Sequence, residues 1–213
     1  MNQEPCTKLA CMPLFGDKNS VSKTGRAGEL VYNAEVPLYH FSEDPDITSF
    51  APHRAPTSNV DEDLVWAIDE WHAPMYYVPR DCPRACFWPG PQTTVEDRER
   101  WFGGIDARMV IAVETAWLAR LRATTLYRYT MPEAAFVLND ATAGHWVSRE
   151  PVTPLAVEPV GDLLAALAGA GVELRVTPRL VDLWKRVIDS TLEYSGTRMR
   201  NAAGYDEVFG TKT

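Results

Sequence analysis

The stretch from Leu64 to Trp88, LVWAIDEWHAPMYYVPRDCPRACFW, decides the fold. It begins with an apolar run at 64–68 and ends with another at 84–88, and both runs are typical of short buried strands. Three prolines between them exclude a long helix, because proline lacks the backbone N–H and clashes with the preceding turn. We expect Asp69 to cap only a short or bent helix there. Strands joined in this way predict an α+β domain and not a regular alternation of strands and long helices.

Similar short segments follow towards the C-terminus. We expect a helix capped by Thr94, with Asp97 three residues later, and before the deciding stretch a strand that ends at His40. Further strands are predicted at 108–114, 124–130, 144–148, 154–160 and 172–176, and further helices at 115–123, 160–171 and 178–194. Residues 1–36 are weakly patterned and are predicted to be an N-terminal extension of a single domain at 37–213. No glycine-rich phosphate loop follows a strand, which excludes a P-loop and a Rossmann fingerprint.

The charge balance limits the partners of the protein. The 213 residues carry a net charge of -8 and have a pI of about 5.0. This argues against a general nucleic-acid or anionic-membrane surface, because such surfaces need clustered lysine and arginine. The charge balance still permits a small neutral or anionic ligand that a few local arginines hold. No apolar run reaches the roughly 20 residues of a membrane span, and the first residues lack the pattern of a signal peptide, so we expect a cytoplasmic protein.

The four cysteines do not predict a metal site. Cys6, Cys11, Cys82 and Cys86 lack the CxxC spacing, and no Cys/His pair lies at zinc-finger distance. Because thiols stay reduced in the cytosol, we expect four free thiols and no metal.

LYHFSEDPDITSFAPH, residues 38–53, places a histidine before an acidic run that proline interrupts. A neutral imidazole at His40 offers one donor and one acceptor, and Ser42 follows two residues later. This histidine is suited to hydrogen-bond ribose hydroxyls or a carboxamide. The alternative is a half-buried histidine whose ring bonds only to the backbone.

Aromatic and basic residues lie close together inside the deciding stretch. Trp66, Tyr76 and Tyr77 precede Arg80 and Arg84, and prolines stiffen the backbone between them. Flat rings stack on aromatic side chains, and guanidinium groups bind phosphate or carboxylate. We therefore expect a ligand pocket here. The alternative is a rigid loop whose aromatic side chains form core and whose arginines pair with nearby aspartates.

A third candidate lies in NDATAGHWVSREP, residues 139–151. His145 and Glu150 lie around a predicted strand. A carboxylate at Glu150 is suited to act as a general base or to stabilise an oxocarbenium-like centre. The same residue is also consistent with a surface acid before proline.

Four blocks of the chain resemble a bacterial family of unknown function: LYHFSEDPDITSFAPH, VWAIDEWHAPMYYVPRDCPR, TTLYRYTMPEAAFVLNDATAGHWVS and RMRNA. The resemblance covers roughly Pro37 to Ala203, and its PRDCPR block is specific. It leaves residues 1–36 outside. The family implies no established activity.

More distantly, the chain resembles ADP-ribosyltransferase-like domains, including the small rifamycin-modifying enzymes. LYH at 38–40 matches their first block, whose histidine contacts the ribose of NAD. VWAIDEWHAPMYY has the shape of the second block, in which an aromatic ring stacks on nicotinamide. This resemblance implies two small, mostly antiparallel sheets around a cleft with flanking helices, and it implies NAD as the cosubstrate.

The resemblance also implies roles for the candidate residues. His40 holds the ribose, Tyr76 or Tyr77 stacks on nicotinamide, Arg80 or Arg84 meets the pyrophosphate, and Glu150 orients the acceptor or stabilises the cation at the ribose C1′. The rest of the expected NAD site consists of Ser42, Trp66 and His145.

The expected function is transfer of ADP-ribose to an unidentified acceptor, or hydrolysis of NAD. The alternative is a non-catalytic module on the same fold that binds a small molecule or a peptide. An RNA 2′-phosphate-processing relative is disfavoured, because a polyanionic substrate favours a more positive surface. The sequence predicts neither the acceptor nor the oligomeric state.

Overall fold

The computed structural model describes residues 36–54 and 61–210 of the chain. All of them belong to one compact unit, Glu35–Thr213. The N-terminal extension predicted at 1–36 therefore lies outside the described residues, apart from its last residue, and so do Cys6 and Cys11.

Ten strands lie in the described part of the chain. They are β1 (Leu38–Ser42), β2 (Val65–Asp69), β3 (Arg84–Trp88), β4 (Met109–Glu114), β5 (Tyr127–Met131), β6 (Val137–Asp140), β7 (His145–Ser148), β8 (Ala156–Pro159), β9 (Val172–Thr177) and β10 (Glu193–Thr197). Six form one sheet in the order β6-β7-β2-β1-β5-β8, and four form a second sheet in the order β10-β3-β4-β9. Every pair is antiparallel except β4 with β9. The expectation of two mostly antiparallel sheets is confirmed.

Five α-helices accompany the sheets within the described residues. They are α1 (Val95–Phe102), α2 (Leu118–Ala123), α3 (Leu163–Gly169), α4 (Leu180–Ile188) and α5 (Tyr205–Phe209). The predicted α+β class is therefore confirmed. None of the described helices combines the length and the apolar character that a membrane span needs.

The four-stranded sheet has a hydrophobic cluster on each face, as the continuous apolar sequence of β4 predicts for a central strand. On one face Phe87 packs in a cluster with Trp184 of α4. On the other face Ile111 lies in a cluster with Tyr39 of β1 and Ile68 of β2. The second cluster therefore joins the two sheets.

A third cluster covers the opposite face of the six-stranded sheet. Leu38, Val65 and Tyr129 are buried there against Phe50 and Val152. Phe50 and Val152 exchange two backbone hydrogen bonds of 2.8 and 2.9 Å, so the loop after β1 is held to the sheet.

The deciding stretch folds largely as its pattern predicts. Both apolar runs are strands, and the segment between them contains only a short 3-10 helix at Ala73–Tyr76. Asp69 does not cap that helix directly, because the cap position is His72. Its carboxylate accepts instead from the His72 backbone N–H at 2.9 Å and from the His72 ring at 2.8 Å. The first run enters the six-stranded sheet and the second enters the four-stranded sheet, so this stretch connects them.

Two predictions about elements are wrong. The helix predicted at 178–194 ends at Ile188, and Glu193–Thr197 forms β10. The strand predicted to end at His40 continues to Ser42, because β5 pairs with it along its whole length. The predicted cap of α1 is confirmed, since the Thr94 hydroxyl accepts the backbone N–H of Asp97.

Candidate functional site

A cavity of about 450 Å³ opens between the two sheets. Strands β1, β2, β6 and β7 line it from the six-stranded sheet, and β3 and β10 line it from the four-stranded sheet. Six residues that the sequence predicts for a ligand site lie in its lining: His40, Trp66, Tyr76, Arg80, Arg84 and His145. Residues that are up to 105 positions apart in the chain, from His40 to His145, therefore meet in one place.

Arg84 is the most unusual residue of the cavity, because it is a cation with only 3% of its surface exposed. Its guanidinium lies over the Tyr76 ring at 4.9 Å, and its Nη1 donates to the Cys82 carbonyl at 3.2 Å. Its Nε has no hydrogen-bond partner, and no carboxylate of the described chain lies within ion-pair distance. Burial lowers the pKa of Arg84, yet an arginine stays protonated in proteins. The site therefore holds a buried positive charge that lacks a counter-ion among these residues.

The alternative interpretation of the arginines, pairing with nearby aspartates, is not what the geometry shows. Asp69 bonds to His72 instead of an arginine. Arg80 is exposed at the cavity, and its backbone N–H donates to Glu43 at 2.9 Å. Neither Arg80 nor Arg84 is in an ion pair among the described residues.

Tyr76 and His145 form a hydrogen-bonded pair beneath Arg84. The Tyr76 hydroxyl and His145 Nε2 are 3.0 Å apart, and the tautomer of the imidazole sets which one donates. Burial raises the pKa of Tyr76 and lowers the pKa of His145, so both are neutral at pH 7. The pair therefore adds a hydrogen bond to the cavity wall without adding charge.

His40 lies where β1 and β2 separate. The two strands pair at Leu38 with Asp69 and at Tyr39 with Ile68, and their pairing stops there. His40 Nδ1 lies 2.8 Å from the Trp66 carbonyl. A carbonyl can only accept, so Nδ1 carries the proton and Nε2 has a free lone pair. Burial lowers the pKa of His40 to about 4, which keeps this ring neutral, and the ring packs against Phe50 at 4.6 Å between centroids.

Trp66 adds an unused donor to the same lining. Its indole edge meets the His145 ring at 5.8 Å between centroids, and its Nε1 is buried without a partner in the described part of the chain. A buried donor without a partner costs free energy of about 1–3 kcal/mol. Two such donors, Trp66 Nε1 and Arg84 Nε, belong to side chains that line this cavity.

Three predicted residues lie outside the cavity lining. Ser42 is buried, and its hydroxyl accepts the backbone N–H of Asp44 in a local turn. Tyr77 packs its ring against Phe41 at 5.4 Å, so Tyr76 and not Tyr77 lines the cavity. Glu150 is exposed just after the end of β7. The chain bends there, which takes its carboxylate to the surface.

The sequence patterns did not indicate the side of the cavity that β6 and β10 provide. Asp140 is the one carboxylate among the described lining residues, and its Oδ1 accepts the backbone N–H groups of Thr142 and Ala143. Thr197 and Arg198 line the cavity from the end of β10. Their segment comes directly after the residues that the sequence predicts as a helix. No local signal therefore separates this segment from α4.

No metal site accompanies the cavity in the described ranges. No group of three or more His, Cys, Asp or Glu side chains is arranged there to hold an ion. Cys82 and Cys86 are buried free thiols, and burial raises the pKa of each to about 12. Neither thiol is therefore a thiolate nucleophile at neutral pH.

The sequence model of the family of unknown function DUF6886 matches residues 39–202. The chain belongs to this family. No curated protein and no solved structure matches it. The DUF6886 match contains each cavity residue discussed above, from His40 to Arg198, so the site belongs to the part of the chain that defines the family.

Proposed function

We propose that the cavity binds NAD or a related nucleotide, an anionic molecule that carries planar rings. The observation that carries this proposal is Arg84, a buried guanidinium without a counter-ion among the described residues. A buried charge is strongly unfavourable unless it is paired, and a phosphate group supplies both the charge and the acceptors that Arg84 lacks.

The other lining groups suit the remaining parts of a nucleotide. His40 Nε2 accepts a hydrogen bond from a ribose hydroxyl, as the resemblance to ADP-ribosyltransferase-like domains implies. Arg80 is exposed at the opening and attracts the anion. A volume of about 450 Å³ lies within the usual range of small-molecule sites.

The reaction proposed for this site is cleavage of the nicotinamide–ribose bond. Nicotinamide leaves with the bonding electron pair, and the ribose C1′ accepts water or an acceptor nucleophile, which then loses a proton. Asp140 replaces Glu150 as the carboxylate closest to this role, because Asp140 lines the cavity and Glu150 does not. It stabilises the oxocarbenium-like centre by its negative charge.

Calorimetry with NAD, ADP-ribose and nicotinamide tests the binding. We expect NAD and ADP-ribose to bind and Arg84→Gln to weaken both at least tenfold, because the variant removes the buried charge. Arg122→Gln is the matched control, since Arg122 is exposed and outside the lining. Circular dichroism verifies that each variant folds. If none of the three molecules binds at millimolar concentration, the proposal is wrong.

A non-catalytic binding module is the second candidate, and the position of Glu150 outside the cavity favours it. Release of nicotinamide from NAD distinguishes the two. An enzyme loses turnover in Asp140→Asn while it still binds NAD. A binding module binds NAD, loses affinity in His40→Ala, and releases no nicotinamide in any variant.

A further inference from the structure

The end of β10 lies directly beside Arg84. In the antiparallel pair of β3 and β10, Thr197 is the register partner of Arg84. Paired residues of neighbouring strands have Cβ atoms about 4.5–5.5 Å apart on the same face. The Thr197 hydroxyl therefore lies on the same side of the sheet as the Arg84 guanidinium.

Arg198, the next residue, has an unusual backbone. Its φ of 55° and ψ of 24° are left-handed, and it is the one non-glycine residue with positive φ in the described ranges. Such a conformation is unfavourable for a residue with a Cβ and occurs often at functional sites. Thr197 and Arg198 both line the cavity. Burial and the neighbouring Arg198 charge both lower the pKa of Arg84, so Arg198 places a second guanidinium near the first.

Arg84 and Arg198 leave two positive charges without carboxylate partners. Neither forms an ion pair with any described residue, and the one carboxylate of the lining, Asp140, accepts two backbone N–H groups of its own turn. Two cations on one cavity wall repel each other unless an anion lies between them. The protein has an overall charge of -8, so a local excess of positive charge is unusual for it.

We propose that Arg84, Thr197 and Arg198 form a seat for a phosphate group, the diphosphate of the nucleotide when one is bound. The inference deepens the proposed function and names the residues that hold its anionic part. A phosphate suits the seat better than a carboxylate, because its charge of about -2 balances two guanidinium groups. Its oxygens accept paired N–H donors from arginine and the hydroxyl of threonine.

Titration calorimetry with inorganic diphosphate, adenosine and NAD tests the seat. We expect diphosphate to bind the wild-type protein and Arg198→Gln to weaken diphosphate and NAD at least tenfold. Arg122→Gln should change neither by more than twofold. Adenosine lacks phosphate, so Arg198→Gln should leave its binding unchanged.

Arg198→Gly provides a second variant that does not depend on the glutamine side chain. Glycine adopts the left-handed conformation without steric cost, so this variant should keep the backbone turn and bind diphosphate as weakly as Arg198→Gln. A backbone that serves only to turn the chain would tolerate glycine with no loss of binding, and that result would overturn the seat.

The two proposals fail in different ways. If diphosphate binds through Arg198 but NAD does not bind, the seat is supported and the nucleotide proposal is wrong. If NAD binds wild type and Arg198→Gln with equal affinity, the nucleotide proposal stands and the seat is overturned.

Discussion

His40 takes the place of a backbone hydrogen bond at the point where two strands separate. Its ring donates to the carbonyl of Trp66, which lies beyond the last paired residues of β1 and β2. This is the backbone-bonded histidine that the sequence left as an alternative, and it also lines the cavity. Nδ1 bonds to the backbone, and no hydrogen bond within the described residues engages Nε2.

The neutral state of His40 predicts a stability that depends on pH. Its pKa is about 4 in the folded protein and 6.5 in the unfolded chain. Between these values the unfolded chain binds the proton more readily, so stability decreases as pH falls from about 6.5 to about 4 and this contribution then levels off. The full loss is about 3 kcal/mol. Burial also lowers the pKa of His145, which adds a loss of the same sign.

Urea unfolding at several pH values tests this prediction. His40→Asn keeps an amide donor for the Trp66 carbonyl and does not titrate, so its stability should fall less than that of wild type between pH 6.5 and 4. His53→Asn is the control, because His53 is exposed. Parallel curves for wild type and His40→Asn would contradict the prediction.

Among the elements, helix α4 is fixed by a buried carboxylate. Glu114, at the end of β4, is 4% exposed. Its Oε1 accepts the backbone N–H of Leu180 at 3.1 Å and that of Ala203 at 3.1 Å. A negative charge at a helix N-terminus is favourable, because the helix dipole is positive there. Glu114 thus ties the start of α4 and the C-terminal segment to the four-stranded sheet.

We predict that Glu114→Ala lowers the free energy of unfolding by about 3 kcal/mol, since it leaves two backbone N–H groups without a partner. Glu114→Gln keeps an acceptor oxygen in the same place and should lose less. Urea midpoints at unchanged slope measure both effects. Equal losses in the two variants would show that the acceptor is not what matters.

Sequence patterns did not predict the boundary between α4 and β10. The apolar periodicity of 178–194 is helical, but β10 begins inside that range because its backbone pairs with β3. Gly196 permits the close packing of α4, since a Cβ there would lie 2.5 Å from the Trp184 ring. Pairing and close approach involve residues distant in the chain, so no local window contains them.

At the scale of the whole molecule, the cavity lies between the two sheets. Its lining comes from β1 and β2 on one side and from β3 and β10 on the other. A ligand that binds only the folded protein stabilises it by about 2.7 kcal/mol at one hundred times its Kd. In the proposed complex the ligand contacts both sheets, so that stabilisation should reach both.

Hydrogen exchange with and without saturating ADP-ribose tests this coupling. We predict slower exchange in β1, β2, β3 and β10 together, with α5 as the internal reference because none of its residues line the cavity. Protection of one sheet alone would place the ligand elsewhere.

The sequence by itself determined the α+β class and most of the strands, and six of the nine residues that it predicts for a site line the cavity. Apolar runs, proline breaks and helix caps act over a few residues, so they can be read from the chain directly. Only the tertiary structure decided that Tyr76 and not Tyr77 lines the cavity, that Glu150 lies outside it and that Arg198 lies beside Arg84. These outcomes depend on strand register and on one left-handed residue, both set by long-range pairing.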